Sequence, residues 1–157
     1  VDGWGEVGRV TVNNIPALDE MPPATPVEGA VFPGIGQIVG YNWLGPTDTG
    51  YEIEIIWQAA ASAPSDRNYT VFVQFLNGNS ELIGQSDAPP AGGVRPTTGW
   101  RSGEFIVDRH IVRLNTDTPP DSVRVIAGLY DPAGRVVLAG GTDAAIVIEQ
   151  QTLDGFY

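Results

Sequence analysis

NYTVFVQFL (68–76), GEFIVDRHIVRL (103–114), DSVRVIAGLYD (121–131) and GRVVLAG (134–140) alternate with NGNSE (77–81), SDAPPAGGVRPTTG (86–99) and NTDTPPD (115–121). Period-2 runs of Val, Ile, Phe and Tyr broken by Gly, Pro, Asn and Asp are the pattern of an antiparallel sandwich, because alternate side chains of a strand point to opposite faces. Working outward, strands are expected near 35–43, 51–60, 69–76, 80–86, 104–114, 121–130, 134–139 and 144–150. The fold class is all-β: an antiparallel two-sheet β-sandwich of about eight strands, immunoglobulin-like or jelly-roll, with no helix beyond a single turn. Asn77-Gly78 and Ala133-Gly134 lie between β-rich runs and mark tight turns.

Strand faces locate the core. In YEIEIIW (51–57), Ile53, Ile55 and Trp57 share one side and Glu52 and Glu54 the other, so the first set points inward. Along Asp121 to Tyr130 both faces are partly apolar, as in a central strand. Upstream, Ile15 to Gly36 carries Pro16, Pro22, Pro23, Pro26 and Pro33. Such a stretch is expected to form neither ladder nor helix, which divides the chain into an N-terminal arm or linker, 1–34, with one candidate strand at Arg9 to Asn13, and a β-sandwich domain, 35–157. With few contacts to offset its ordering entropy, the arm is expected to be dispensable: deletion of residues 1–30 should leave the unfolding midpoint within a few degrees.

Composition bounds the chemistry. A chain of 157 residues fits one domain burying roughly two thirds of its unfolded surface without covalent staples. Cys is absent, which removes disulfides, thiolate metal sites and cysteine nucleophiles. All eight basic residues are Arg, so Schiff-base and P-loop chemistry are removed as well. A formal net charge of −11 repels a phosphate backbone and an anionic bilayer, arguing against nucleic acid and membrane surfaces as partners. No stretch approaches the roughly 18 apolar residues of a membrane span, so no direct membrane insertion is expected. The start at Val1 suggests a processed product or a fragment of a longer protein.

The order Asp66, Tyr69-Thr70-Val71-Phe72-Val73, Gln85-Ser86-Asp87, Pro89-Pro90, Gly92-Gly93, Pro96-Thr97, Trp100, Gly103-Glu104, Asp108 and Gly128-Leu129-Tyr130-Asp131-Pro132 with Gly134 resembles an extracytoplasmic bacterial β-sandwich domain. That domain stands at the C-terminal, soluble ends of polytopic membrane proteins similar to dolichyl-phosphate-mannose-type glycosyltransferases. The resemblance covers roughly 57 to 138. It implies a sandwich outside the membrane, within a longer membrane-anchored bacterial chain, and no catalytic residues of its own.

His110 is the single histidine, in Asp108-Arg109-His110, and is expected on a surface or half-buried strand position. None of the serines considered as its partner, Ser86 among them, lies in a Gly-x-Ser-x-Gly setting, so a Ser-His-Asp triad is set aside. Paired carboxylates for glycoside hydrolysis would need Asp87, Glu104 and Asp108 to converge, which their spacing does not require. No enzyme activity and no cofactor are expected, with calcium as the metal that Asp-rich sandwich loops would suit.

Sugar binding is the positive alternative. Carbohydrate sites stack sugar faces on exposed rings and fix hydroxyls with polar side chains. The long Gln85 to Trp100 connection carries Asp87, Arg95 and Trp100 near Asp108, and these four are the expected ligand-binding residues. The competing account makes Trp100 a core plug and the carboxylates caps of backbone N–H groups. Tyr41 and Trp43 form a second aromatic pair, with Trp4 a third element from the arm. Asn68-Tyr69-Thr70 matches the glycosylation sequon, read here as coincidental. The sequence thus supports a non-catalytic extracytoplasmic accessory or interaction module of a surface or membrane protein, with glycan or another surface protein as partner, and a carbohydrate-binding module as the second reading.

Overall fold

The computed structural model describes residues 18–153. Nine strands follow in order: β1 Thr25–Phe32, β2 Gly36–Pro46, β3 Tyr51–Ala59, β4 Thr70–Leu76, β5 Leu82–Ala88, β6 Phe105–Leu114, β7 Ser122–Asp131, β8 Gly134–Arg135 and β9 Ala145–Thr152. Two short 3₁₀ turns, Pro90–Gly93 and Thr97–Gly99, fill the β5–β6 connection. Every pairing is antiparallel, in the order β1-β2-β3-β6-β5-β4-β7, with β8 and β9 both on the far edge of β7.

The chain is therefore all-β, and its nine strands belong to one continuous, curled sheet rather than to two separate ones. Sheet continuity depends on two residue pairs between β5 and β6, Gly84 with Leu114 and Gln85 with Arg113. Gly84 is needed there, because a Cβ would lie 2.5 Å from the Arg113 carbonyl oxygen. Beyond Gln85 the two strands part, and the sheet curls round a core shared by residues of β1, β2, β3, β4, β5, β6, β7 and β9. The outer edges approach each other where the Ala139 N–H donates to Val31 O at 2.9 Å.

The interior follows the period-2 reading. Ile53, Ile55 and Trp57 on β3 are buried against Val71, Val73 and Phe75 on β4 and Val123, Val125, Ala127 and Leu129 on β7. Trp43 meets Phe75 across the fold at 5.7 Å between ring centroids, so the pair Tyr41 and Trp43 packs on the core as half-buried side chains. Outside the curl, Phe72 lies over Gly128, its cross-strand partner, and the Arg135 guanidinium caps its ring at 4.1 Å.

The Pro-rich stretch departs from expectation. Thr25–Phe32 does form a ladder, as edge strand β1 on β2. Pro26 is tolerated because an edge strand leaves one side unpaired, and the register slips between Pro26 and Ala30, where Gly29 takes φ +75°. Ala30 and Phe32 then enter the core. Residues before β1 run over the outer face: the Phe105 N–H donates to Leu18 O at 2.9 Å and the Asn42 side-chain amide to Pro23 O at 3.0 Å. Met21 and Ala24 lie beside Gly40, the cross-strand partner of Ile56, which is fully buried on the face opposite Trp57. The expected connector laid on the domain is thus partly a strand and partly a cover. The candidate strand Arg9 to Asn13, and Trp4, lie outside the described residues.

Candidate functional site

Where β5 and β6 part, three polar side chains turn inward. Ser86 sits opposite Val73 on β4, and Asp108 and His110 sit opposite Ile55 and Ile53 on β3. Ser86 Oγ lies 2.9 Å from His110 Nδ1, and His110 Nε2 lies 2.9 Å from Asp108 Oδ2. The Trp57 indole donates to the same Oδ2 at 3.1 Å, and the Ala91 backbone N–H donates to Oδ1 at 2.8 Å. Both the His110 and Asp108 side chains have 0% exposure. With three donors converging on it, the Asp108 carboxylate only accepts, so His110 donates from Nε2, and in the neutral ring the Ser86 hydroxyl donates to Nδ1. Each polar side chain of this Ser86–His110–Asp108 line has a partner.

This corrects two expectations. His110 is neither on the surface nor half-buried, and a Ser-His-Asp alignment does exist, because such alignments are defined by geometry rather than by a Gly-x-Ser-x-Gly setting. The strand parity of β6 carried the signal: Asp108 and His110 alternate in step with the buried Ile106 and Val112, not with the exposed Arg109 and Ile111. Chemically the alignment polarises the Ser86 hydroxyl. Acyl transfer also needs donors aimed at an oxyanion. Here the Ala91 N–H is used by Asp108, and the imidazole is sealed in the core. The arrangement fastens the seam, replacing ladder hydrogen bonds that β5 and β6 no longer exchange.

The residues nominated from the β5–β6 connection fall into three settings. Trp100 is 1% exposed, its ring 5.8 Å from that of Trp57 and its indole N–H donating to Arg95 O at 2.8 Å. Arg95 pairs with Glu104 at 2.5 Å, with side-chain exposures of 12% and 1%. The second Glu104 oxygen takes the Arg101 N–H, closing the turn. Asp108 joins this cluster through Trp57, whereas Asp87 points outward on β5 and accepts from the Gln85 amide at 3.4 Å. The structure thus brings Arg95, Trp100 and Asp108 into one buried assembly and leaves Asp87 apart. Glu104 and Ser86, which the ligand-binding set omitted, are integral to it.

The buried Thr97 hydroxyl extends the clamp, donating to Arg67 O at 3.0 Å and accepting the Tyr69 N–H at 3.3 Å. Nearby, Arg67 bonds Asp131 at 2.8 Å, and this hydrogen bond holds the Asp131 carboxyl below its ordinary range. Among the described residues no group of three or more His, Asp or Glu side chains is gathered to hold a metal ion, and no helix is long and apolar enough to cross a membrane.

Comparisons with protein-family models, curated proteins and solved structures return no match. The resemblance of residues 57 to 138 therefore has no matched relative behind it.

Proposed function

We propose that the chain is a non-catalytic, extracytoplasmic accessory or interaction module of a larger cell-surface or membrane protein. One observation carries this reading: the connection most suited by length and composition to hold a ligand uses Arg95, Trp100 and Asp108 to bind itself to the sheet. A loop fixed in this way presents a rigid surface and leaves little polar capacity for a substrate. The immunoglobulin-like or jelly-roll description of the layers, and the placement outside the membrane as part of a longer bacterial chain, belong to the same proposal and rest on the strand pattern and on the resemblance.

The test combines location with reactivity. In intact cells of the source bacterium an externally added protease should cleave the module, and the purified protein should resist a phosphonate probe for activated serines. Protection from the protease, or stoichiometric labelling of Ser86, would overturn the proposal. Carbohydrate binding is the second reading, favoured by a groove lined by Gln37, Gln58 and Ser102 and not by Asp87 or Asp108. A calcium titration that stabilises the parent would instead favour a cation-dependent module.

A further inference from the structure

We propose that the groove where the end of β1, the start of β2 and the end of β3 meet the Ser102-Gly103 turn is a binding site for a neutral sugar, an inference that rests on the carbohydrate-binding reading. The groove measures about 340 Å³ and is lined by Val31, Gly36, Gln37, Gln58, Ser102 and Gly103 among others. That is the lower end of the range of about 300–1,000 Å³ typical of small-molecule sites. None of its lining residues is ionisable, on a chain of formal net charge −11, so the site selects neither a cation nor an anion.

Its polar groups are ordered yet unsaturated. The Gln58 amide nitrogen donates to Gly103 O at 3.3 Å, which fixes the orientation of that side chain and turns its oxygen toward Gln37. Gln37 Nε2 then donates to Gln58 Oε1 at 3.1 Å. The chain of amides assigns every atom, because the Gly103 carbonyl can only accept. Left without a partner among the described residues are Gln37 Oε1 and the second N–H of each amide. Ser102 donates its hydroxyl to Ala61 O at 2.9 Å and keeps its oxygen as an acceptor. This contrasts with the Ser86–His110–Asp108 chain, where each polar group has its partner.

The remaining wall is apolar. Val31 is 38% exposed, and the half-buried Ala60 and exposed Ala61 continue the surface above the buried Phe32 and Ala59. An apolar wall facing paired donors and acceptors fits a pyranose, whose C–H face lies against carbon while neighbouring hydroxyls each give and take one hydrogen bond. Gly36 keeps the floor low: a Cβ there would lie 2.6 Å from the Gln58 backbone oxygen and 2.9 Å from the Trp100 ring. Trp100 therefore supports the groove from below, a role for that side chain other than direct stacking.

Saturation-transfer NMR on the whole chain, with methyl glycosides of neutral hexoses and N-acetylhexosamines and with a hexuronic acid as charged control, tests the site. A neutral glycoside should bind with a Kd about millimolar, since the contacts are few. Gln37→Ala should weaken it about tenfold, the effect of one lost hydrogen-bonding partner, and Asp87→Ala should leave it unchanged. Ser102→Ala, on an exposed turn, is the second variant should Gln37→Ala fail to fold, with a smaller loss in the same direction. Binding by the parent that neither variant alters would overturn this site while leaving the carbohydrate reading standing. No transfer to any neutral glycoside would overturn both.

Discussion

Asp108 shows how little a residue type reveals until its neighbours are placed. As a strand carboxylate it reads as a ligand or a cap; in the fold it accepts from Trp57, His110 and Ala91 with its side chain fully buried. The cost of removing any one partner follows, since a buried polar group left unmatched costs about 1–3 kcal/mol. Ser86→Ala should lower stability by that amount in urea titration, and an unchanged midpoint would mean that the Ser86–His110 bond contributes nothing. Trp57→Ala loses a buried ring and a donor together, and about 3–5 kcal/mol is expected. At Gly128 the limit is space: a Cβ would lie 2.5 Å from the Phe72 ring, so Gly128→Ala should destabilise by about 1–3 kcal/mol through overpacking. Thermal melts of the same variant check this. The inward position of Trp57 was legible from alternation with Glu52 and Glu54. The partnership of Ser86 with His110 was not, because the divergence of β5 from β6 that brings them together leaves no local pattern.

At the scale of elements, β1 and the cover before it determine what the N-terminal region does. Deleting residues 1–30 removes most of β1 and uncovers Ile56, so the structure gives the opposite expectation to that drawn from proline content: a clear fall in the unfolding midpoint and broader transitions. A midpoint within a few degrees of the parent would show that β1 is an ornament. The connection after β5 stores a small strain, because Ala91 sits at φ +53°, in the left-handed region that glycine occupies without cost. Ala91→Gly should therefore be neutral or stabilising by up to about 1 kcal/mol, measured in urea, against the usual destabilising effect of that change. The link between the segment before β4 and the end of β7 carries the pH dependence. The hydrogen bond from Arg67 depresses Asp131 in the folded protein, so its contribution is present above the ordinary carboxylate range and is lost as pH falls through the folded value. Melts of Asp131→Asn and parent should differ near neutrality and converge in acid.

For the whole molecule, the positions of β2 to β7 and β9 could be read from apolar alternation and turn residues, since each strand buries one face and ends where Gly, Pro or Asp breaks it. Two things were not readable. Pro26 disguised β1, because proline excludes a strand only where its missing N–H would be needed. The continuity of one curled sheet depends on the brief β5–β6 contact between Gly84-Gln85 and Arg113-Leu114, a long-range pairing that no segment announces alone. The candidate site divides the same way: residue types in the Gln85 to Trp100 connection suggested a ligand, while their tertiary partners make a clamp. Trp100 decides between these, being the one side chain that would stack on a ligand if exposed and hold the layers if buried. The most direct measurement is urea unfolding of Trp100→Ala. A loss of about 3–5 kcal/mol is predicted for a buried ring at this junction; a loss below about 1 kcal/mol, within the ordinary range for surface substitutions and their neighbours, would contradict the clamp and return Trp100 to the surface as a ligand platform.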